Sequence, residues 1–141
     1  MNQAEVLALW LNSKQARDFY RLTQSEVVEF EFEKFHSGHL SYGFLRFECE
    51  PSDQLDFQRI AAWPEHLGDA YKHELDLAVI EGMVEGLFMD SLYPYLGCRL
   101  KCVGIGWQNA YSTEYAFYKA ALSAMKELRS NREWKIVIRP D

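Results

Sequence analysis

The run from Leu100 to Leu128 constrains this chain more than any other stretch. It reads as a strand, a short polar loop and a helix in immediate succession. Leu100, Cys102 and Val103 are apolar strand residues. Gly104 and Gly106 then loosen the backbone, and Trp107-Gln108-Asn109-Ala110 read as an exposed tip. Ser112 is placed to cap the helix by accepting a backbone N–H bond, and Glu114 puts a negative charge where the helix dipole favours it. Beyond it Phe117, Ala120, Ala121, Ala124, Met125 and Leu128 recur at three- and four-residue steps, which is one apolar helical stripe.

The rest of the chain supplies the partners for that unit. Residues Ala4 to Leu22 read as a helix, with Val6, Leu7, Trp10 and Leu11 on one face and Phe19 and Tyr20 continuing it. Val28, Phe30 and Phe32 alternate with Glu29, Glu31 and Glu33, the pattern of a half-buried strand with an acidic outer face. Leu45, Phe47 and Cys49 alternate with Arg46, Glu48 and Glu50 in the same way, and Pro51 stops that strand. Between the two runs, His36 to Gly43 is a long hairpin loop or a ribbon tip, with glycines that allow positive φ. Leu55 to Ala61 suggests a third short strand, and Tyr71 to Met89 a helix with Leu75, Val79, Met83 and Leu87 on one side. Ala78, Gly82 and Gly86 form a small-residue line on that helix. Each glycine there costs about 1 kcal/mol, so the line implies close packing, expected against a sheet. Trp134 to Arg139 is the last strand. The expectation is an α+β fold: a mostly antiparallel four-stranded sheet with two helices on one face, plus an extra N-terminal helix. Residues 1–25 form the helical extension and residues 26–141 the domain proper.

Composition narrows the class. At 141 residues, 48% hydrophobic and 15% aromatic, the chain suits one globular domain. No apolar run approaches the roughly 20 residues that cross a bilayer, and the N-terminus lacks the pattern of a secretory leader. Three cysteines, Cys49, Cys98 and Cys102, without framework spacing suggest a reducing, cytoplasmic setting. The net charge of −6 is poor for a general nucleic-acid binder. It is unevenly spread, with 15 acids against 4 bases from Glu26 to Asp90, and 8 bases against 4 acids from Ser91 to Asp141. An anionic partner should therefore meet the C-terminal part.

Little in the sequence announces catalysis. There is no phosphate-binding G-x-x-x-x-G-K-[ST] loop, and Gly104-Ile105-Gly106 is a G-x-G that goes no further. Cys98 and Cys102, four apart on a strand, both face the core, and a zinc site would need further ligands beside them. His36 and His39 share the hairpin and would need a third ligand. No metal and no cofactor is expected. Ser112 is better explained as a helix cap than as a nucleophile.

The order of motifs resembles domain IV of translation elongation factor G, also found in ribosomal-protection tetracycline-resistance proteins. That family carries T-G-G-R-G-Q-Y-G before a strand ending V-E-P. Here His36-Ser37-Gly38-His39-Leu40-Ser41-Tyr42-Gly43 stands before a strand ending Cys49-Glu50-Pro51. A helix of the form A-V-x-x-G-x-x-E-A is matched by Ala78-Val79-Ile80-Glu81-Gly82-Met83-Val84-Glu85-Gly86. The loop Y-H-x-V-D-S-S-E-x-A-F is matched by Trp107 to Phe117, and a final V-I-L-E-P by Ile136 to Pro140.

The resemblance implies a ribosomal-protein-like two-layer sandwich with a left-handed βαβ crossover, where chain sterics alone would default to a right-handed one. In the elongation factor the domain is an arm whose two tip loops contact tRNA and mRNA at the decoding site. The departures fall in those loops. His39 and Ser37 stand where the family has an arginine and a glycine, Gln108 replaces the tip histidine and Tyr111 the aspartate. The factor's other domains have no counterpart here. The expectation is therefore a stand-alone, non-catalytic protein that binds the ribosome, rRNA or tRNA through His36, His39, Tyr42, Trp107, Gln108 and Asn109. The alternative is a protein–protein interaction module that has lost RNA contact, with a translation-related protein as partner. An enzyme is a weaker third reading. The apolar N-terminal helix is expected to pack on the domain or to make a homodimer, and no membrane partner is expected.

Overall fold

The computed structural model describes residues 18–89 and 91–138. The helix expected from Ala4 onward, and any dimer made through it, lie outside them except at its last residues. There the expectation fails: Phe19–Leu22 is a strand, β1. It pairs antiparallel with β6, Trp134–Val137, and on its other side Tyr20 N donates to Pro94 O while Gly97 N donates to Tyr20 O. Phe19 and Leu22 are buried in the core, so pairing on both flanks overrides a helix-like spacing.

The remaining elements are β2 (Glu26–His36), β3 (His39–Pro51), β4 (Asp56–Arg59), α1 (Asp69–Phe88), β5 (Cys98–Gly106) and α2 (Glu114–Asn131). The main sheet has the order β2-β3-β5-β4, antiparallel throughout except that β4 runs parallel to β5. The result is the expected α+β two-layer sandwich. Both helices cover one face, and Leu45, Phe47, Leu75, Met83, Leu100, Phe117 and Met125 meet beneath them. Phe30 and Phe32 pack on the margin of that core. The other face carries the acids of β2 and the paired charges of its neighbours. Lys101 lies 3.5 Å from Glu50, and Arg99 lies 3.5 Å from Asp56.

The small-residue line on α1 has a different neighbour from the one expected. A Cβ on Gly82 would sit 2.3 Å from Tyr118 O and 2.9 Å from Ala121 Cβ, and one on Gly86 would sit 2.6 Å from Met125 Cβ. The two glycines let α1 lie directly on the backbone of α2, rather than on the sheet. Arg129 in the last turn of α2 then donates to Gly86 O and Met89 O, the free carbonyls at the end of α1.

A β-bulge decides where the end of β5 points. Arg46 pairs with Gly104 but Phe47 pairs with Cys102, so Val103 has no partner on β3. Before the bulge Cys98, Leu100 and Cys102 face the helices. After it the parity switches, and Ile105 and Trp107 pack against the core instead. Gly104 and Gly106 are therefore strand residues of the outer face and not a loosened loop. A Cβ on Gly106 would lie 2.7 Å from Phe44 Cβ, and one on Gly104 would lie 3.0 Å from Arg46 Cβ.

Gly82→Ala tests the helix contact. Alanine gains about 1 kcal/mol of helix propensity, but its methyl meets backbone that cannot yield. The net effect should be a loss of roughly 1–3 kcal/mol, read as a lower urea midpoint at unchanged slope. Gly68→Ala, where nothing lies within 4 Å of the added methyl, should change stability by less.

Candidate functional site at the joined loop tips

β2 and β3 continue as a ribbon past the first turn of α2. They are closed by a two-residue turn in which Ser37 has φ 52° and Gly38 φ 79°. Positive φ at both positions is the I′ hairpin signature, whose twist matches the strands it joins. Of the two loop forms open to the sequence, the ribbon tip is the one formed. His36 pairs in register with His39, and His39 to Gly43 belong to β3.

The second tip, from Trp107 to Thr113, is fastened to this ribbon. Tyr42 N donates to Tyr111 O at 2.9 Å, and Ser41 Oγ lies 3.1 Å from Thr113 Oγ1. The loop also closes on itself. Tyr111 N and Ser112 N donate to Gln108 O, Ser112 Oγ accepts from Gln108 N, and Asn109 Oδ1 accepts from Trp107 Nε1. Ser112 thus holds the loop, and Thr113 is the helix cap, its Oγ1 accepting from Ala116 N at 3.1 Å. The expected cap was one residue early. Gly43 permits the join, because a Cβ there would lie 3.1 Å from the Ala116 backbone.

The structure sorts the expected contact residues. His39, Gln108 and Asn109 are exposed, and the side chain of His36 lies outside those described. Trp107, expected at an exposed tip, is half-buried. Its ring stacks on Phe117 at 5.7 Å and 9°, and meets Trp63 edge-on at 6.4 Å. The bulge at Val103 is the reason, since it turns residue 107 to the helix side. Tyr42 is buried on the outer face and donates its hydroxyl to Glu31 at 3.0 Å. Burial, followed by that bond to Glu31, raises its pKa above the ordinary tyrosine value. Neither ring is a free platform for stacking.

What opens to solvent instead is a groove of about 440 Å³ between the ribbon and α2, lined by Phe32, Lys34, Ser37, His39, Ser41 and Tyr115. Phe32 and Tyr115 meet edge-to-face at 5.9 Å. Glu31 and Glu33 alternate with Phe32 and Lys34 and so lie on the opposite face of the strand. Ser37, His39 and Ser41 belong to the hairpin that the sequence singled out, whereas Tyr115, Phe32 and Lys34 were missed. Tyr115 precedes the apolar stripe of α2 by two residues, which is the available sign that it points outward.

The three thiols take no part. Cys49, Cys98 and Cys102 are free and buried. Burial pushes Cys49 and Cys102 up to about 12 and Cys98 well above the ordinary thiol range. Among the described residues no group of three or more His, Cys, Asp or Glu side chains could hold a metal ion, and no helix is long and apolar enough to cross a membrane.

No family model and no curated protein matches the sequence. Among solved structures the chain is similar to the protein ttk003000868 of Thermus thermophilus, with a TM-score of 0.66 at 17% sequence identity. The match covers 85% of this chain and 18% of that one, so the chain spans less than a fifth of that protein's length. The likeness is one of fold.

Two outcomes follow from the packing. Trp107→Ala should cost roughly 2–3 kcal/mol, below the range for a fully buried tryptophan, and thermal melts would show it. The thiols should resist alkylation at pH 8 until denaturant is added. Since their folded values lie above the free-thiol value of 9.0, stability should be intact below pH 9.0 and fall as pH rises toward about 12.

Proposed function

We propose that this chain is an elongation-factor-G domain-IV-like module that contacts the ribosome or structured RNA through its joined tips, as a binding element and not a catalyst. The carrying observation is the union of the two tips at one end of the sandwich, where Tyr42 N bonds Tyr111 O and Lys34, His39, Gln108 and Asn109 are exposed together. The order of the sequence motifs supports the family reading, and the α+β two-layer sandwich is the class of fold that the resemblance implies. Loops held out on a rigid scaffold are where contact residues concentrate. Contact with rRNA or tRNA would pass through Lys34 and His39 to phosphate, and through Gln108 and Asn109 to base edges. A ribosomal partner puts the protein in the cytoplasm.

A second reading, contact with a translation-related protein, is favoured by one feature. Glu29, Glu31 and Glu33 are exposed in a row on the outer face, with Phe35 73% exposed beyond them. Such a surface repels phosphate and suits a basic, partly apolar protein.

Co-sedimentation with purified ribosomes across a potassium chloride series tests the proposal. With few phosphate contacts, affinity should fall roughly tenfold between about 50 and 200 mM salt. The double variant His39→Ala/Gln108→Ala should bind more weakly at every salt concentration. Binding that ignores both salt and this variant would favour the protein contact, and no binding at low salt would end the RNA reading.

A further inference from the structure

We propose that the groove between Phe32, Lys34, His39 and Tyr115 seats one unpaired nucleotide of an RNA strand, its base against the Tyr115 ring and its phosphate between Lys34 and His39. This deepens the tip-contact reading and rests on it.

The lining sets the groove apart from the rest of the molecule. In a chain of net charge −6, the groove carries a lysine, a histidine and two serines, and no carboxylate. The strand register puts these groups on one face. Lys34 lies directly opposite Ser41, and His39 stands two residues before Ser41. Phe32 lies opposite Gly43, where the Ala116 backbone packs, so the first turn of α2 closes the groove beside Phe32 and brings Tyr115 to it. The two ends of the groove therefore differ in chemistry. The turn end offers positive charge and hydroxyls. The helix end offers two aromatic rings at 86° to each other.

Tyr115 is 56% exposed, yet it is held in place. Phe32 meets it edge-on, and Tyr118 stacks behind it with centroids 6.3 Å apart. Tyr118 is itself fixed by donating its hydroxyl to Glu85. A ring that is pre-positioned and open loses little entropy when a base stacks on it. Ser41 Oγ is likewise fixed by Thr113 Oγ1. The volume of about 440 Å³ falls within the range of small-ligand sites. A ligand that fits must join a flat apolar ring to an anion. A nucleotide does so, and base stacking on aromatic side chains is the general mode for unpaired RNA.

Nitrogen-15 NMR titration of the full chain with AMP, adenosine, ribose 5-phosphate and a short oligoadenylate tests this. AMP should shift the amides of Phe32, Lys34, His39 and Tyr115 at lower concentration than adenosine or ribose 5-phosphate does. The oligoadenylate should act at the same amides and bind tighter than AMP. Tyr115→Ala and Lys34→Ala should each weaken oligoadenylate binding roughly tenfold, with Tyr115→Phe restoring it and Phe35→Ala without effect. Ribose 5-phosphate acting as well as AMP would reduce the groove to a simple anion site. AMP binding tighter than oligoadenylate would make it a free-nucleotide site. Either result overturns the proposal, as does the absence of shifts in the groove. Ribosome binding that is salt-sensitive in the wild type yet unchanged in Tyr115→Ala and Lys34→Ala would remove the groove and leave the tip reading standing. Groove shifts without ribosome binding would do the reverse.

Discussion

The indole of Trp63 ties the layers of this molecule together. Its Nε1 donates to Asp76 on α1 at 2.7 Å, and its ring meets Phe117 on α2 edge-on at 5.0 Å and Trp107 at the end of β5 at 6.4 Å. Asp76 is a carboxylate in a buried position, 6% exposed, and Arg59 of β4 pairs with it through Nε at 2.7 Å. Arg59 is in turn fixed by donating to Ala61 O at 2.8 Å. A buried carboxylate is tolerable where several donors satisfy it, and removing one donor leaves a charge that the interior cannot solvate. The edge strand, both helices and the strand leading to the second tip thus depend on one satisfied polar group. The floor of that tip is anchored to the core before the loop begins.

That anchoring explains the form of the tips. Trp107 is committed to the aromatic stack, so the loop beyond it begins from a fixed point. Ser112 and Asn109 then close it through local hydrogen bonds. The ribbon is braced against the loop at Tyr42 and at Ser41, and Gly43 brings β3 against the first turn of α2. Side chains that none of these bonds require are left for a partner: Lys34, His39, Gln108 and the open face of Tyr115, while Asn109, its Oδ1 held by Trp107, keeps only its amide N–H groups for contact. The ribbon also separates charge. Its outer face carries Glu29, Glu31 and Glu33, while its helix face carries Lys34 and His39. The net charge of the whole chain therefore says little about the field inside the groove.

The sequence by itself determined the class of fold. Alternation at period two from Val28 to Phe32 and from Leu45 to Cys49, and the helical stripe from Phe117 to Leu128, are local consequences of which face is buried. They gave the central strands, both described helices and the composition of the core. The two loops that would matter were also visible, through glycines and a run of motifs. What only the tertiary structure decided were features with no local signature. The bulge at Val103 reverses side-chain parity, and so Trp107 is a packing residue and Gly104 and Gly106 are strand residues. Pairing with β6 and with the Pro94–Gly97 segment makes Phe19–Leu22 a strand despite its helix-like spacing. The partner of Gly82 and Gly86 is a helix because α1 buries one flank on α2 as well as one on the sheet. The groove exists because Phe32 and Lys34 are brought to one corner with Tyr115, about 80 residues further along the chain, by strand register and helix packing. Periodicity reports which way a side chain faces within its own element. It carries no information about which other element stands opposite, and the site is made of those oppositions.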